Sequence, residues 1–141
     1  MIIRCRSPLR ISFAGGGTEL NPYMEARGSL ILNTTINLYA YVTLKLRNDG
    51  MVKLVSLDNN SEEDFEANKT NKFICHSRYL MIHNVIFQYF YKLFPEKFKS
   101  GIEIITHSEA PIGSGLGTSS TLTVTIIYAL TNYLNLFYSK K

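Results

Sequence analysis

Residues 111–120 read Pro111-Ile112-Gly113-Ser114-Gly115-Leu116-Gly117-Thr118-Ser119-Ser120. They follow a short apolar run, Gly101–Thr106 (GIEIIT), that suits a strand, and precede Leu122–Leu136, which suits a helix. Glycine at 113, 115 and 117 permits backbone conformations closed to other residues and leaves room for another group against the main chain. Thr118, Ser119 and Ser120 stand where the helix would begin, among N–H groups without a partner inside the helix and at the positive end of its dipole. Donors, hydroxyls and an absence of side-chain bulk suit a phosphate. A plain glycine turn feeding a Ser/Thr-capped helix would use the same residues, so the choice between the two rests on the rest of the chain.

The segment is not a Walker loop, which ends in Gly-Lys-Ser/Thr, because no lysine occurs between Lys99 and Lys140. It is not the dinucleotide fingerprint either: the glycines are spaced G-x-G-x-G, and no βαβ unit with a later acidic residue follows. Without a lysine in the loop, charge on a bound nucleotide must be met by a magnesium ion and by residues elsewhere.

Working outward, residues 2–13 (IIRCRSPLRISF) read as a strand in which Pro8 marks an edge or an irregularity. Ala14–Thr18 is a tight turn, and Glu19–Ala26 suits a short helix with Thr18 as N-cap and Gly28 as its stop. Leu30–Asn37 and Leu38–Arg47 are β-rich. Asn48-Asp49-Gly50 is a strong turn signal, so Met51–Leu57 is expected to close a hairpin on the preceding strand. Asp58–Lys72 reads as a loop with a short strand at Asp64–Ala67. Ile74–Phe94 carries the clearest helical period, with Tyr79, Ile82, Ile86, Phe90 and Leu93 on one face, and Pro95 ends it. His83 falls on another face and reads as a surface or part-buried structural histidine. The last helix, rich in Thr, Val and Ile, should depend on burial. Strands first, then helix–strand–loop–helix, is an α+β order: a mixed, mostly antiparallel sheet with helices on one face.

With 141 residues and 45% hydrophobic composition, the chain suits one domain with a real core. The net charge of +4 is scattered, with local basic concentrations only at Lys92–Lys99 and Lys140–Lys141, so neither a basic helix face nor a nucleic-acid partner is expected. Cys5 and Cys75 have no partner motif and read as reduced, buried thiols. His76, His83 and His107 lack zinc-ligand spacing. No apolar run approaches the ~20 residues of a membrane span or forms a signal peptide, so the expected location is cytoplasmic, with no membrane partner.

A second motif stands near the N-terminus: Pro8-Leu9-Arg10, then Gly15-Gly16-Gly17-Thr18-Glu19. A carboxylate beside a hydroxyl and bare backbone suits a polyhydroxylated ligand, with Glu19 accepting from two hydroxyls and Thr18 beside it. Arg10 offers a fork to a phosphate, or serves as a surface partner of Glu19.

Together the two motifs resemble the GHMP kinases, which phosphorylate galactose, homoserine, mevalonate and phosphomevalonate. The family's P-x-x-x-G-L-G-S-S is matched by Pro111, Gly115, Leu116, Gly117, Thr118 and Ser119, with Thr118 in place of the first serine. The first motif, P-x-R and a glycine turn ending in Thr-Asp, is matched with Glu19 in place of the aspartate. The triple glycine and GSGLGTSS look most like the sugar kinases acting on heptose 7-phosphates. The resemblance implies the N-terminal fold shared with the second domain of ribosomal protein S5. It also implies ATP and Mg²⁺ as cofactors and a sugar phosphate as acceptor. Pro111, Gly113, Gly115, Leu116, Gly117, Thr118 and Ser119 would then hold the nucleotide phosphates, with Ser119 reaching the metal. Arg10 would face the transferring group, and Gly16, Gly17, Thr18 and Glu19 would bind the sugar. The family continues well beyond this length, so residues 1–141 read as an N-terminal ATP-binding domain whose C-terminal partner domain is absent. The isolated chain is then expected to be inactive and to self-associate through uncovered surface. A non-catalytic nucleotide-binding module and another GHMP small-molecule kinase are the alternative readings.

Overall fold

The computed structural model describes residues 1–136, without the side chains of residues 71 and 72. The FYSKK ending and the Lys140–Lys141 pair lie outside the described residues. The elements are β1 (Ile2–Ala14), α1 (Tyr23–Arg27), β2 (Leu32–Leu46), β3 (Met51–Ser56), β4 (Ser61–Glu66), α2 (Met81–Leu93), β5 (Ile102–Ser108) and α3 (Thr118–Tyr133). Five strands form one sheet in the order β1-β2-β5-β3-β4. Among the described residues the β3–β5 pair alone is parallel; the β1–β2, β2–β5 and β3–β4 pairs are antiparallel. This is the expected mixed, mostly antiparallel α+β architecture.

Period-two alternation selects the packed face. Val42 and Leu44 of β2, Val52 and Leu54 of β3, and Ile102 and Ile104 of β5 are all at most 1% exposed. The helices cover this face with Ile86, Phe87 and Phe90 of α2 and with Ile126, Ala129 and Leu130 of α3. Phe98, seated by the 3₁₀ turn Pro95–Phe98, meets Phe87 edge to face at 5.2 Å. Each large side chain buried here stabilises the fold by roughly 1.5–3 kcal/mol. In α3 the threonines turn inward to the backbone: Thr121, Thr123 and Thr125 donate to the carbonyls of Gly117, Ser119 and Thr121. These bonds satisfy the hydroxyls, and helix formation here rests on burial rather than on propensity.

Several expectations need correction. Asn48–Gly50 is a turn, and Asp49 Oδ1 accepts from Met51 N–H at 3.0 Å, but β2 and β3 do not pair. β5 lies between them, with Ile104 opposite Leu44 on one side and Leu54 on the other. Local turn chemistry was outweighed by a strand that can bury its inward face between two apolar neighbours. The two β-rich runs after Gly28 are one strand, β2, and the short strand expected at Asp64–Ala67 is β4, beginning at Ser61. α1 begins at Tyr23 with no side-chain cap, so Thr18 is not its N-cap, although Gly28 does end it at φ 75°. α2 begins at Met81 rather than Ile74, because the Glu63 carboxylate takes the N–H groups of His76 and Ser77 and holds that stretch out of a helix. Tyr79 and Leu93 are exposed, whereas His83 is 2% exposed, so it belongs to the core and not to the surface. α3 starts earlier than expected, at Thr118, and ends at Tyr133.

Pro8 lies on the edge strand, next to an irregularity: Pro8 pairs with Tyr39 but Arg10 with Thr35. The extra β2 residues at this bulge re-aim β1. As a result consecutive residues Leu9 and Arg10 both reach the loop before α3.

Candidate functional site

The 111–120 loop is held from below by one apolar side chain and left open above. Leu116 packs on a small cluster of Leu9, Ala40 and Ala110, joined by Leu122 of α3. Arg10 N–H donates to the Leu116 carbonyl at 3.2 Å, fastening the loop to β1. Gly113, Gly115 and Gly117 have φ of 77°, 72° and 74°, the left-handed region that glycine alone enters without strain. Around Gly113 and Gly115 an added methyl group would meet nothing within 4 Å. Gly117 precedes α3, and no side chain caps the helix. The N–H groups of its first turn therefore face outward beside half-buried Thr118 and exposed Ser119 and Ser120.

Arg10 and Gly117 touch. A methyl group on Gly117 would stand 3.1 Å from Arg10 Nε and 3.2 Å from its Cγ. The guanidinium of the first motif thus lies along the backbone of the second, at the start of α3. These two sequence-predicted residues, separated by most of the chain, are brought together.

Gly113, Thr118 and Ser119 form one end of a cleft of about 210 Å³. Its other walls were not foreseen from the sequence. Asp58 accepts from Ser108 N–H at 3.0 Å and faces His107 Nδ1 at 2.8 Å. Asn59 Nδ2 donates to Ser56 Oγ at 2.9 Å. Arg78 lies over the Tyr79 ring at 4.8 Å and donates to its hydroxyl at 2.8 Å. His83 forms part of the wall, with Nε2 at 2.8 Å from Thr106 Oγ1. Because the Thr106 hydroxyl donates to the Val55 carbonyl, His83 Nε2 carries the proton and Nδ1 is bare. Burial lowers the His83 pKa to about 4, so the ring is neutral near pH 7. The signal available in the sequence was the polar Asp58-Asn59-Asn60 run, which reads only as a loop without its partners on β5 and α2.

The N-terminal turn is built differently. Thr18 Oγ1 donates to the Gly15 carbonyl at 2.7 Å and shares a hydrogen bond with Ser29 Oγ at 3.0 Å. Glu19 Oε2 accepts from Gly17 N–H at 2.7 Å. Both side chains proposed for the sugar therefore brace their own turn first, and Glu19 keeps its second oxygen for a ligand. Gly16 and Gly17 are exposed at the tip. The turn follows directly from β1, four residues past Arg10. Arg10 thus connects it to the second motif.

Comparison with known proteins fits this geometry. A family model described as GHMP kinases N terminal domain matches residues 84–141. The D-glycero-alpha-D-manno-heptose 7-phosphate kinase of Campylobacter jejuni is 40% identical over 134 residues, which is 95% of this chain and 38% of that protein. The L-fucokinase/L-fucose-1-P guanylyltransferase of Bacteroides fragilis is 29% identical over 99% of this chain and 16% of its own length. The crystal structure of a D-glycero-D-manno-heptose 1-phosphate kinase from Bacteroides thetaiotaomicron superposes with a TM-score of 0.80 at 33% identity, covering 96% of this chain and 43% of that one. A mevalonate kinase with 18% identity shares the fold at a TM-score of 0.75. The chain thus spans about two-fifths of the length of the heptose kinases it matches. Residues 84–141 thus match the GHMP kinases N-terminal domain, and the fold of nearly the whole chain agrees with that match.

Proposed function

We propose that this chain is the nucleotide-binding part of a sugar kinase that transfers the γ-phosphoryl group of ATP to a sugar phosphate. The proposed acceptor is D-glycero-D-manno-heptose 7-phosphate, at its anomeric hydroxyl. The observation that carries the proposal is the Arg10 side chain lying on Gly117. It joins a turn suited to a polyol and a helix start suited to phosphate into one site.

Phosphoryl transfer asks a protein mainly for positioning and charge stabilisation. In this reading the open N–H groups of the first turn of α3 and the bare backbone at Gly113, Gly115 and Gly117 cradle the nucleotide phosphates. The cleft walled by Tyr79 and His83 takes the nucleoside. Bound Mg²⁺ supplies counter-charge on the phosphates, and the exposed Ser119 hydroxyl at the helix start is the chain's fitting ligand for it. Arg10 presents its fixed positive charge toward the transferring group. Glu19 and Thr18 orient the sugar against the exposed backbone of Gly16 and Gly17. The named substrate of the Campylobacter relative supports the choice of heptose 7-phosphate.

The proposed setting is cytoplasmic; Cys5 and Cys75, expected to be buried, are each only partly so. Neither nucleic acid nor membrane enters it. Self-association does: Val85 and Tyr89 of α2 and Val124 and Tyr128 of α3 expose apolar side chains. Sedimentation tests this part, and a monomer at every concentration would contradict it.

The functional proposal is tested by coupled ADP release with heptose 7-phosphate. The 141 residues are assayed alone and after fusion to the part of the Campylobacter relative that follows the matched region. Sugar-dependent release by the fusion, with little by the 141 residues alone, is the expected result. A fusion that folds and binds Mg·ATP yet never responds to the sugar overturns the acceptor assignment.

A further inference from the structure

Beside the Thr18 turn lies a second pocket, of about 440 Å³, lined by Thr18, Tyr23, Arg27, Gly28, Ser29 and Leu30. We propose that it holds the phosphate that the acceptor sugar already carries, with Arg27 as the counter-charge. The inference rests on the kinase reading above and adds to it a site for the far end of the substrate.

The chemistry of the lining is one-sided. Arg27 is the charged residue of the lining, Thr18, Tyr23 and Ser29 are its hydroxyl-bearing residues, and no carboxylate residue lines it among the described residues. The nearby acids are engaged elsewhere: Glu19 on Gly17 N–H, and Glu25 on Asn21 Nδ2 at 2.6 Å. Arg27, like Arg4, Arg6, Arg10 and Arg78, makes no ion pair among the described residues, and of these it is the one that lines this pocket. A cation beside the Tyr23 hydroxyl, with no ion pair of its own among the described residues, suits a phosphate dianion.

The pocket is also tied to the acceptor turn. Gly28, at φ 75°, bends the chain straight after Arg27, and Ser29 Oγ then meets Thr18 Oγ1 at 3.0 Å. Thr18 is therefore common to the turn and the pocket. A sugar held at one end by Glu19 reaches past Thr18 to place a distal phosphate by Arg27. Such a pocket selects phosphorylated over unphosphorylated sugars.

Calorimetric titration of the parent chain, Arg27→Gln and Arg27→Lys with heptose 7-phosphate, unphosphorylated heptose, glucose 6-phosphate and Mg·ATP tests the proposal. Arg27→Gln is expected to weaken heptose 7-phosphate binding roughly ten- to hundredfold, the range of a charged hydrogen bond, and Arg27→Lys by less. Binding of unphosphorylated heptose and Mg·ATP, and the melting temperature, should stay at parent values, since Arg27 is exposed. If Arg27→Gln binds heptose 7-phosphate as tightly as the parent, the pocket proposal falls while the acceptor assignment stands. If only glucose 6-phosphate binds, and through Arg27, the pocket stands and the heptose assignment falls. Absence of any Arg27-dependent binding of either sugar phosphate overturns the proposal.

Discussion

The two glycine turns of this chain use the same residue for opposite ends. In the N-terminal turn, a methyl group on Gly15 would stand 1.9 Å from the Leu30 carbonyl oxygen. Glycine is needed there so that two stretches of backbone can touch, and the turn's polar side chains are tied back onto it. In the loop before α3, Gly113 and Gly115 face open space and the helix start has no side-chain cap. The first turn is a brace closed at Gly15 and open only at its tip, Gly16 and Gly17; the second is an open cradle at Gly113 and Gly115. Gly117 has features of both, with open backbone on one side and Arg10 on the other. Glycine spacing alone therefore does not distinguish the two turns; the space beside Gly15 and beside Gly113 and Gly115 does.

The strongest challenge to this contrast is a matched pair of substitutions. Gly15→Ala and Gly113→Ala impose similar backbone strain, at φ 78° and 77°, but only the first also drives a side chain into backbone. Gly15→Ala should destabilise by roughly 2–5 kcal/mol, strain and overpacking together, and Gly113→Ala by about 1–2 kcal/mol. Urea denaturation measures both, and equal losses would erase the distinction between brace and cradle.

Acid should weaken the cradle side through His83. Its folded pKa of about 4 lies below the ordinary 6.5. The unfolded chain takes up a proton as the pH drops through 6.5, while the folded chain refuses it until about pH 4. This contribution is therefore complete above pH 6.5, lost progressively on acidification, and amounts to about 3 kcal/mol by pH 4. Comparing urea midpoints of parent and His83→Gln from pH 7 to 4.5 isolates it. A variant with the parent's slope in that window would refute the assignment.

Glu19→Gln sharpens the contrast at its smaller end. Its amide oxygen can still accept from Gly17 N–H, so the brace survives. Sugar binding should weaken by about 1.5–3 kcal/mol, the value of a charged hydrogen bond, with Mg·ATP binding unchanged. A loss of nucleotide affinity in calorimetry would show that the turn and the loop are not separable in this way.

How much of this was legible in the sequence depends on the range of the interactions involved. The glycine loop, the helix after it, the edge strand with Pro8 and the α+β class follow from local patterns, and they stand. The strand order did not follow, because Ile104 completes the sheet only by lying between Leu44 and Leu54, which no turn signal records. The start of α2 was misread because Glu63, on another strand, captures the N–H groups of residues 76 and 77. His83 looked superficial because its hydrogen-bond partner, Thr106, is 23 residues away. At the site, the motifs named Arg10, Thr18, Glu19 and residues 111–119, but neither the cleft walls at Asp58, Arg78 and Tyr79 nor the Arg27 pocket. Those residues belong to no spacing pattern, and the topology alone brings them together.

The central claim is that the open side of Gly117 receives nucleotide phosphate while Arg10 lies along its other side. Calorimetric titration of Mg·ATP into the parent chain and into Gly117→Val, with melting curves on both, tests it most directly. Saturable binding by the parent and at least roughly tenfold weaker binding by the variant are expected. Melting of the ligand-free variant should fall by the equivalent of about 1–2 kcal/mol of left-handed strain plus roughly 1–3 kcal/mol for the crowding of Arg10. A folded Gly117→Val chain that binds Mg·ATP as tightly as the parent would reduce the 111–120 loop to a turn and contradict the account.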